Sequence, residues 1–248
     1  LIHEFATLYQ SRHSSQEAPL PELPLQYADY AVWQRQGFHA ERLQESLHWW
    51  SSQLEGAPAL LELPADHPRP AAQSHRGRRH CVRLDATQTR QLRQFAREQG
   101  ATLHMLLLTG FALLLSRLSG QNDIVIGTPV ANRSHAELEK LIGFFVNTLP
   151  IRLQPDAQQD VASLLQAVKS RMLEAYAHQD TPFEQIVEAV NPVRSPGHAP
   201  LFQALLSLQN APQERIALPG LDIEPLEPDT GTAQVDLALN LFEAGEEI

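Results

Sequence analysis

A change of pattern near residue 76 constrains the possible folds more than any other feature of this sequence. Before it, apolar residues recur at the spacing of helices, whereas beyond it segments with strand periodicity alternate with helical ones. The clearest strand is the β-branched run DIVIGTPV from Asp123 to Val130, which follows an apolar helix predicted over residues 102–118. This alternation predicts an α/β or α+β class with a mixed sheet.

The remaining elements are predicted from the same periodicities. Helices are predicted over residues 1–12, 26–36, 40–55, 86–99, 160–178 and 182–190, with a short helix near 135–141. Strands are predicted at His80–Leu84, Phe144–Leu153, Leu201–Leu208 and Val235–Phe242. Pro150 cannot donate a ladder hydrogen bond, so its strand is expected at a sheet edge or at a bulge.

Capping residues set the expected ends of two helices. Asp85 is the expected N-cap of the helix that Gly100 stops. Asp180 or Thr181 is expected to cap a second helix, with Pro182 at its first position.

An irregular connector rich in proline, over residues 56–78, is the predicted domain boundary. It ends in the basic run RGRR and separates a domain over residues 1–75 from one over residues 76–248. The sequence opens inside an amphipathic helical pattern and stops soon after a strand-like run, so we expect a piece of a longer polypeptide.

The composition argues against several classes of function. With 19 Lys+Arg against 29 Asp+Glu, the formal net charge of −10 argues against nonspecific nucleic-acid binding or an anionic membrane as the main partner. The single cysteine, Cys81, excludes a disulfide within the chain and a cysteine-based zinc or iron–sulfur site, and it suits a reducing cytoplasm. Its place in the alternating run HCVRL predicts a buried, inert thiol.

Several motifs of cofactor and nucleophile chemistry are absent from the sequence. Its 12 glycines form no dinucleotide fingerprint, no phosphate-binding loop and no G-x-S-x-G elbow. The only His-Glu dipeptide, His3-Glu4, is followed by Thr7 where a zincin helix needs a second histidine. No metal site is therefore predicted, and the histidines, His104 and His178 included, are expected to be solvated or satisfied.

Four segments have residue patterns that differ from those of generic core packing. Tyr27, Tyr30 and Trp33 recur at every third residue and share one helical face. Asn147 and Thr148 interrupt an apolar strand, and an unsatisfied buried polar group costs about 1–3 kcal/mol, so they must find partners or face a cavity. The segments are Gln26–Gln36 (QYADYAVWQRQ), Leu141–Leu153 (LIGFFVNTLPIRL), His178–Glu188 (HQDTPFEQIVE) and Pro200–Asn210 (PLFQALLSLQN).

Together these segments resemble the condensation domain of nonribosomal peptide synthetases over essentially the whole chain. Asp123–Arg133 (DIVIGTPVANR) is also similar to the family's G-x-P-x-x-x-R strand and loop. The four matching motifs are Y-x-D-Y-A-x-W-Q at Tyr27–Gln34, I-G-x-F-V-N-T-L-x-x-R at Ile142–Arg152, H-Q-D-x-P-F-E-x-(I/L/V)-V-E at His178–Glu188 and H-x-P-L-F-Q at His198–Gln203.

The resemblance implies a fold similar to chloramphenicol acetyltransferase, with a tunnel between two lobes. Residues 1–75 would be the C-terminal part of the first lobe and the connector. Residues 76–248 would be most of the second lobe, truncated at its C-terminal end.

The resemblance also implies an acyltransferase that forms a peptide bond. The amine of a carrier-bound aminoacyl thioester attacks a carrier-bound acyl or peptidyl thioester. The 4'-phosphopantetheine arms come from partner carrier domains, so no directly bound cofactor is expected. An adenylation domain in the same polypeptide is a further implied partner, whereas neither a nucleic acid nor a membrane is expected.

One departure from the family concerns its catalytic signature, H-H-x-x-x-D-G. The sequence has no His-His and no Asp-Gly dipeptide. In the family this motif precedes a helix like LIHEFATLYQ, so the chain is expected to begin just after the catalytic loop. No catalytic residue is therefore assigned, and the isolated chain is expected to be inactive.

The residues that can be carried over fall into two groups. The expected tunnel residues are Asn147, Thr148, Arg133, Thr128 and Gly127. The residues expected to have structural roles are Tyr27, Asp29, Tyr30, Trp33, Pro182, Phe183, Phe202 and Gln203.

Other functions stay open beside condensation. An epimerization domain of the same fold would invert the α-carbon of a carrier-bound residue, but its segment at the N-T-L position usually differs from the F-V-N-T found here. A non-catalytic docking module would only recruit carrier or tailoring proteins. A free-standing acyltransferase would use coenzyme A and would lack adjoining adenylation and carrier sequences.

Overall fold

The computed structural model describes residues 2–14, 17, 20–37, 40–156, 158–209, 218–221, 223, 226 and 230–248. A 3₁₀ turn covers Ala136–Leu138. The helices are α1 Ile2–Ser14, α2 Tyr27–Gly37, α3 Ala40–Leu54, α4 Ala86–Glu98, α5 Leu103–Ser119, α6 Val161–Ala177 and α7 Phe183–Val190. The strands are β1 Ile124–Val130, β2 Asn147–Leu153, β3 Ala204–Gln209 and β4 Leu237–Phe242.

The chain divides into two compact units. Helices α1 and α2 belong to the smaller unit, and helices α3 to α7 with the four strands belong to the larger. The predicted division into residues 1–75 and 76–248 follows other boundaries and stays a prediction. The smaller unit is Leu1–His39, Arg133–Phe145 and Ala211–Thr230, and the larger is Ala40–Asn132, Val146–Asn210 and Gly231–Ile248.

The larger unit is built on one mixed sheet with the strand order β2-β1-β3-β4. Strand β1 runs antiparallel to β2, with Val130 opposite Asn147, and parallel to β3. Strand β3 pairs parallel with β4. Strand β2 therefore lies at an edge of this sheet, as expected from Pro150.

The core of the larger unit forms where α5 and α6 pack on each other and on the sheet. Leu108 and Leu115 of α5, Leu165 and Met172 of α6, and Ile126 of β1 are all fully buried. Burial of each such side chain contributes about 1.5–3 kcal/mol. The apolar faces seen in the sequence thus fix both helices on the sheet.

Helix α4 begins and ends at capping residues. Asp85 accepts a hydrogen bond from the Gln88 amide at 2.8 Å, and the Gln88 side chain accepts one from the Asp85 amide at 3.1 Å. Gly100, with φ +61°, follows the end of α4, so both predictions for this helix are confirmed.

No single helix in the described ranges is long and apolar enough to cross a membrane, although α4 and α5 pass that test together across a 104° bend.

The predicted strand His80–Leu84 is wrong. None of these five residues, all of which the structure describes, lies in a strand, and only Leu84 pairs its backbone with another segment. Its amide donates to the Ile248 carbonyl at 2.8 Å, and its carbonyl accepts the Ile248 amide at 3.2 Å. Without a paired strand the segment is not covered, so Cys81 is exposed and Val82 is 78% exposed. The expectation of a buried thiol is wrong for the same reason.

The smaller unit has its own core beside helix α2. Tyr30, Leu138, Leu141 and Phe145 are buried there, and Leu23 packs against them. The rings of Tyr30 and Phe145 lie 4.7 Å apart between centroids. Part of the predicted strand from Phe144 thus belongs to this core, and β2 begins only at Asn147.

Candidate functional site

Among the five predicted tunnel residues, Asn147 has the side chain with the most hydrogen bonds to the rest of the protein. It is the first residue of β2, and its Nδ2 donates to the carbonyls of Gln179 and Thr181, both at 2.7 Å. Its Oδ1 accepts the backbone N–H of Phe183 at 3.1 Å. Both amide hydrogens therefore hold the loop between α6 and α7, and one lone pair of the oxygen holds the start of α7.

This contact explains how α7 begins. Its N-cap residue is Pro182, which supplies no side-chain cap, so the expected capping by Asp180 or Thr181 is wrong. Asn147, 36 residues away in sequence, accepts the first amide of the helix instead. The long-range partner was not visible in the sequence, where only local caps can be recognised.

His178 anchors the other end of the same loop to helix α3. Its ring stacks on Trp49 with centroids 4.4 Å apart, and its Nδ1 lies 2.9 Å from the Ser46 hydroxyl. Its carbonyl accepts a hydrogen bond from Trp50 Nε1 at 3.2 Å. Desolvation by burial, and then the positive charge of Arg42, lower the pKa of His178. The motif His178–Glu188 is thus tied to both β2 and α3.

Gly127 and Thr128 lie inside the larger unit on strand β1. A Cβ at Gly127 would clash with the ring of Phe202, so two of the recognised motifs meet at this point. Thr128 is 1% exposed, and its hydroxyl donates to the carbonyl of Leu206 at 3.0 Å.

His104, a residue not singled out for the site, lies against Thr128. Its Nε2 is 2.9 Å from the Thr128 hydroxyl oxygen. The only hydrogen of that hydroxyl is given to Leu206, so His104 Nε2 must be the donor and Nδ1 the unprotonated nitrogen. Burial lowers the pKa of His104, which favours this neutral form. A histidine in an otherwise apolar helix was the only sequence signal for it.

Arg133 belongs to the smaller unit. Its guanidinium donates to the carbonyl of Leu138 and lies over the ring of Phe145, with Cζ 4.2 Å from the centroid. Arg133 therefore braces the core of that unit.

The aromatic face of α2 packs as its spacing predicts. Tyr27 and Tyr30 lie 5.9 Å apart between ring centroids, as do Tyr30 and Trp33. A Cβ at Gly143 would clash with the Tyr27 ring, so the glycine of the I-G-F segment lets this ring approach closely. Asp29 accepts a hydrogen bond from the Gln26 amide at 2.8 Å at the start of the helix.

The remaining predicted structural residues support the loop and the sheet. Phe183 and Phe202 contact each other with ring centroids 5.5 Å apart. Gln203 is 2% exposed, and its Oε1 accepts the Leu61 amide at 2.7 Å while its Nε2 donates to the Ala199 carbonyl at 2.8 Å. It ties the connector to the start of β3.

The structure brings part of the predicted tunnel set together. Thr128 stands opposite Leu149 and Asn147 stands opposite Val130, so Thr128 and Asn147 share one face of the β1–β2 pair. Thr148 is the next residue of β2, half-buried and opposite Pro129. Arg133 lies in the other unit. That these residues line a substrate tunnel stays a prediction.

An open cavity of about 620 Å³ lies elsewhere in the larger unit. It is bordered by the C-terminal ends of α3 and α7 and by the segments that follow them. The five predicted tunnel residues, all of which the structure describes, do not line it.

Comparison with known proteins identifies relatives over the whole chain. The family model of the condensation domain matches residues 1–248. Malpinin synthetase of Mortierella alpina is 45% identical over 243 residues, and a linear gramicidin synthase polypeptide of Brevibacillus parabrevis is 43% identical over 244 residues. Each alignment covers 98% of this chain but only 3% of the relative.

Solved structures show the same fold. The X-domain from teicoplanin biosynthesis superposes with a TM-score of 0.85 at 29% identity, over 98% of this chain and 56% of that one. A four-domain nonribosomal peptide synthetase bound to AMP and glycine gives a TM-score of 0.74 at 31% identity, over 82% of this chain and 17% of that one. The first condensation domain of the CDA synthetase, 18% identical, supports the fold alone with a TM-score of 0.68. The mixed α/β class and the chloramphenicol acetyltransferase-like fold are confirmed.

Proposed function

Because the chain belongs to the condensation domain family, we propose that it serves peptide-bond formation in a nonribosomal peptide synthetase. The observation that carries this proposal is the match over residues 1–248, together with relatives named as synthetases or synthases. The chain spans about 3% of those relatives, so its activity is proposed for the complete synthetase. There it would act as an acyltransferase between two carrier-bound substrates.

The role of this chain's own residues would be to hold the fold around the reaction. Asn147 fixes the loop between α6 and α7 by two hydrogen bonds and the start of α7 by a third, and His178 fixes the same loop on α3. The thioesters would be presented on 4'-phosphopantetheine arms of partner carrier domains. An adenylation domain of the same polypeptide would supply the activated amino acid, and a cytoplasmic location is part of the proposal.

The lack of an H-H-x-x-x-D-G signature in these 248 residues bears on what they can do alone. In the family, the second histidine of that signature is taken to position or deprotonate the attacking amine, or to stabilise the tetrahedral intermediate. We therefore assign no catalytic residue and propose that the isolated chain does not catalyse condensation.

The test uses the full synthetase polypeptide with its donor and acceptor carriers loaded. Mass spectrometry of the acceptor carrier should show a dipeptidyl thioester, and the isolated 248-residue chain added to loaded carriers should give none. Inversion at the α-carbon without a new amide bond would indicate an epimerization domain and overturn the proposal. Dipeptide formed by the isolated chain would overturn the inactivity of the fragment.

A docking module is the second candidate. The observation in its favour is the TM-score of 0.85 with the X-domain from teicoplanin biosynthesis, a domain also solved in complex with OxyB. Capture of a partner protein by the full synthetase, with no peptide bond and no inversion in the same assay, would favour this function. An intact H-H-x-x-x-D-G upstream of Leu1 in the parent sequence would favour condensation.

A further inference from the structure

Three buried side-chain atoms in the described part of the chain have no hydrogen-bond partner from the protein. They are His104 Nδ1, Asn132 Oδ1 and Thr181 Oγ1. Thr181 is 1% exposed and Asn132 is 9% exposed, so bulk water does not solvate these residues freely. Buried polar groups in folded proteins are almost always bonded to protein or to ordered water. Each of these atoms therefore needs a partner.

The strand register brings the three residues to one end of the β1–β2 pair. His104 is bonded to Thr128, and Thr181 is bonded through its carbonyl to Asn147. Because Thr128 and Asn147 are diagonal neighbours on one face, their Cα atoms are about 7–8 Å apart. Asn132 follows β1 by two residues at the same end, in a left-handed conformation with φ 51°.

The chemistry of the three atoms is complementary to one small ligand. His104 Nδ1 is an acceptor, because Nε2 carries the ring hydrogen that Thr128 receives. Asn132 Oδ1 is also an acceptor, whereas the Thr181 hydroxyl can donate. A water molecule donates two hydrogen bonds and accepts others, and buried waters typically have about three polar partners.

We propose that His104, Thr181 and Asn132 form an internal water-binding site at this end of the sheet. The water accepts the hydrogen bond of the Thr181 hydroxyl and donates to His104 Nδ1 and Asn132 Oδ1. It joins the first turn of α5 to the loop between α6 and α7, two segments that are also linked through Thr128 and Asn147. The site is independent of the proposed function, since it needs neither carriers nor a substrate.

The first test is the sign of the stability change in Thr181→Val. Valine has the shape of threonine without the hydroxyl, so it would strengthen folding if this hydroxyl were buried without any partner. If the hydroxyl binds water, the variant should lower the folded-to-unfolded ratio of the chain, about five- to tenfold in urea titrations. The matched control is Thr109→Val, at a fully buried threonine whose hydroxyl already donates to the Met105 carbonyl at 2.7 Å.

The second test is a double-mutant cycle that combines Thr181→Val with His104→Gln. Glutamine keeps an N–H donor at the position of Nε2 but has no acceptor at the position of Nδ1. A shared water makes the two substitutions non-additive, since losing either partner weakens the other's bond. His104→Asn, which keeps an oxygen near the Nδ1 position, should retain part of that coupling. Thr109→Val should be additive with both.

A crystal structure of the unsubstituted chain gives a readout that does not depend on folding of the variants. Density for a water within hydrogen-bond distance of His104 Nδ1 and Thr181 Oγ1 supports the proposal. Three outcomes overturn it. They are a higher free energy of unfolding in Thr181→Val, additive effects of the two substitutions, and direct contact between these side chains with no water between them.

Discussion

The carboxamide of Asn147 caps helix α7 from a neighbouring strand, with its oxygen 3.1 Å from the backbone nitrogen of Phe183. The same carboxamide gives both of its hydrogens to carbonyls of the preceding loop. A side chain used in this way positions a loop and a helix with a single planar group. The asparagine of the N-T-L segment and the H-Q-D-x-P-F-E segment are therefore joined by hydrogen bonds into one structural unit.

The first prediction concerns Asn147→Asp. A carboxylate still accepts the Phe183 amide, and the α7 N-terminus favours its charge, but it cannot donate to Gln179 and Thr181. Two carbonyls then face an anion, so the free energy of unfolding should fall by about 2–4 kcal/mol at neutral pH. Urea denaturation followed by tryptophan fluorescence measures this change.

The control for this variant is Asn240→Asp on β4. Asn240 is exposed, so the same change of chemistry should alter stability by no more than about 0.5 kcal/mol. Equal losses of unfolding free energy in the two variants would show that the hydrogen bonds of Asn147 do not stabilise the fold.

The second prediction concerns the ion pair of Asp123 and Arg152. The guanidinium donates twice to the carboxylate, at 2.8 and 2.7 Å, and also to the carbonyls of Gln53 and Glu55 at the end of α3. Lysine keeps the charge but cannot reproduce this fork. Arg152→Lys should therefore lower the free energy of unfolding by about 1–3 kcal/mol, whereas Arg171→Lys, at an exposed i,i+3 pair, should lower it by less than about 1 kcal/mol.

Acid should weaken the same pair. The hydrogen bond from Arg152 is the main cause that lowers the pKa of Asp123 in the folded chain. A carboxyl whose folded pKa is depressed stabilises the fold above its unfolded pKa of about 3.9, and this contribution is lost as pH falls through the lower folded value. Comparison of Arg152→Lys with the unsubstituted chain between about pH 6 and about pH 3 should show the difference in stability shrinking toward low pH. A difference independent of pH would contradict the assignment.

The third prediction concerns His178. Its pKa is lowered in the folded chain, so the unfolded chain takes up the proton first as pH falls. The contribution of His178 to stability should therefore be complete above the unfolded pKa of about 6.5 and should decline as pH falls below it. His178→Gln should flatten this decline and, because the stack on Trp49 is lost, cost about 1–2 kcal/mol at neutral pH. His67→Gln, at an exposed loop position, is the control for the exchange itself and should change the free energy of unfolding by no more than about 0.5 kcal/mol at neutral pH.

The sequence could predict those elements that depend on local chemistry. Asp85 and Gly100 marked the ends of α4 because a cap and a left-handed residue act within one turn. Pro150 marked an edge strand because it lacks an amide hydrogen. The cap of α7 was missed because its acceptor, the Asn147 oxygen, becomes adjacent only when β2 pairs with β1.

The same distinction explains the outcome at the candidate site. The resemblance points to Asn147, but its two bonds to the loop and its bond to the start of α7 depend on tertiary structure. The sequence does not indicate a role for His104, because nothing in an apolar helix shows which strand residue its ring will contact. The burial predicted for Cys81 is wrong because alternation along a segment implies a buried face only when a neighbouring strand and a packed layer are present.

The fourth prediction concerns Gly127 and its contact with Phe202. An added Cβ would clash with the ring, and the ring is 6% exposed and so has little room to move. Gly127→Ala should therefore lower the free energy of unfolding by about 1–3 kcal/mol through overpacking. Gly110→Ala is the matched control, because that glycine lies inside α5 with open space around it and alanine favours helix by about 1 kcal/mol. The two alanine substitutions should thus shift the urea midpoint in opposite directions. The double variant Gly127→Ala with Phe202→Leu should lose less stability than the sum of the two single variants, since leucine leaves room for the new methyl group. Additive losses would show that the clash is not the cause.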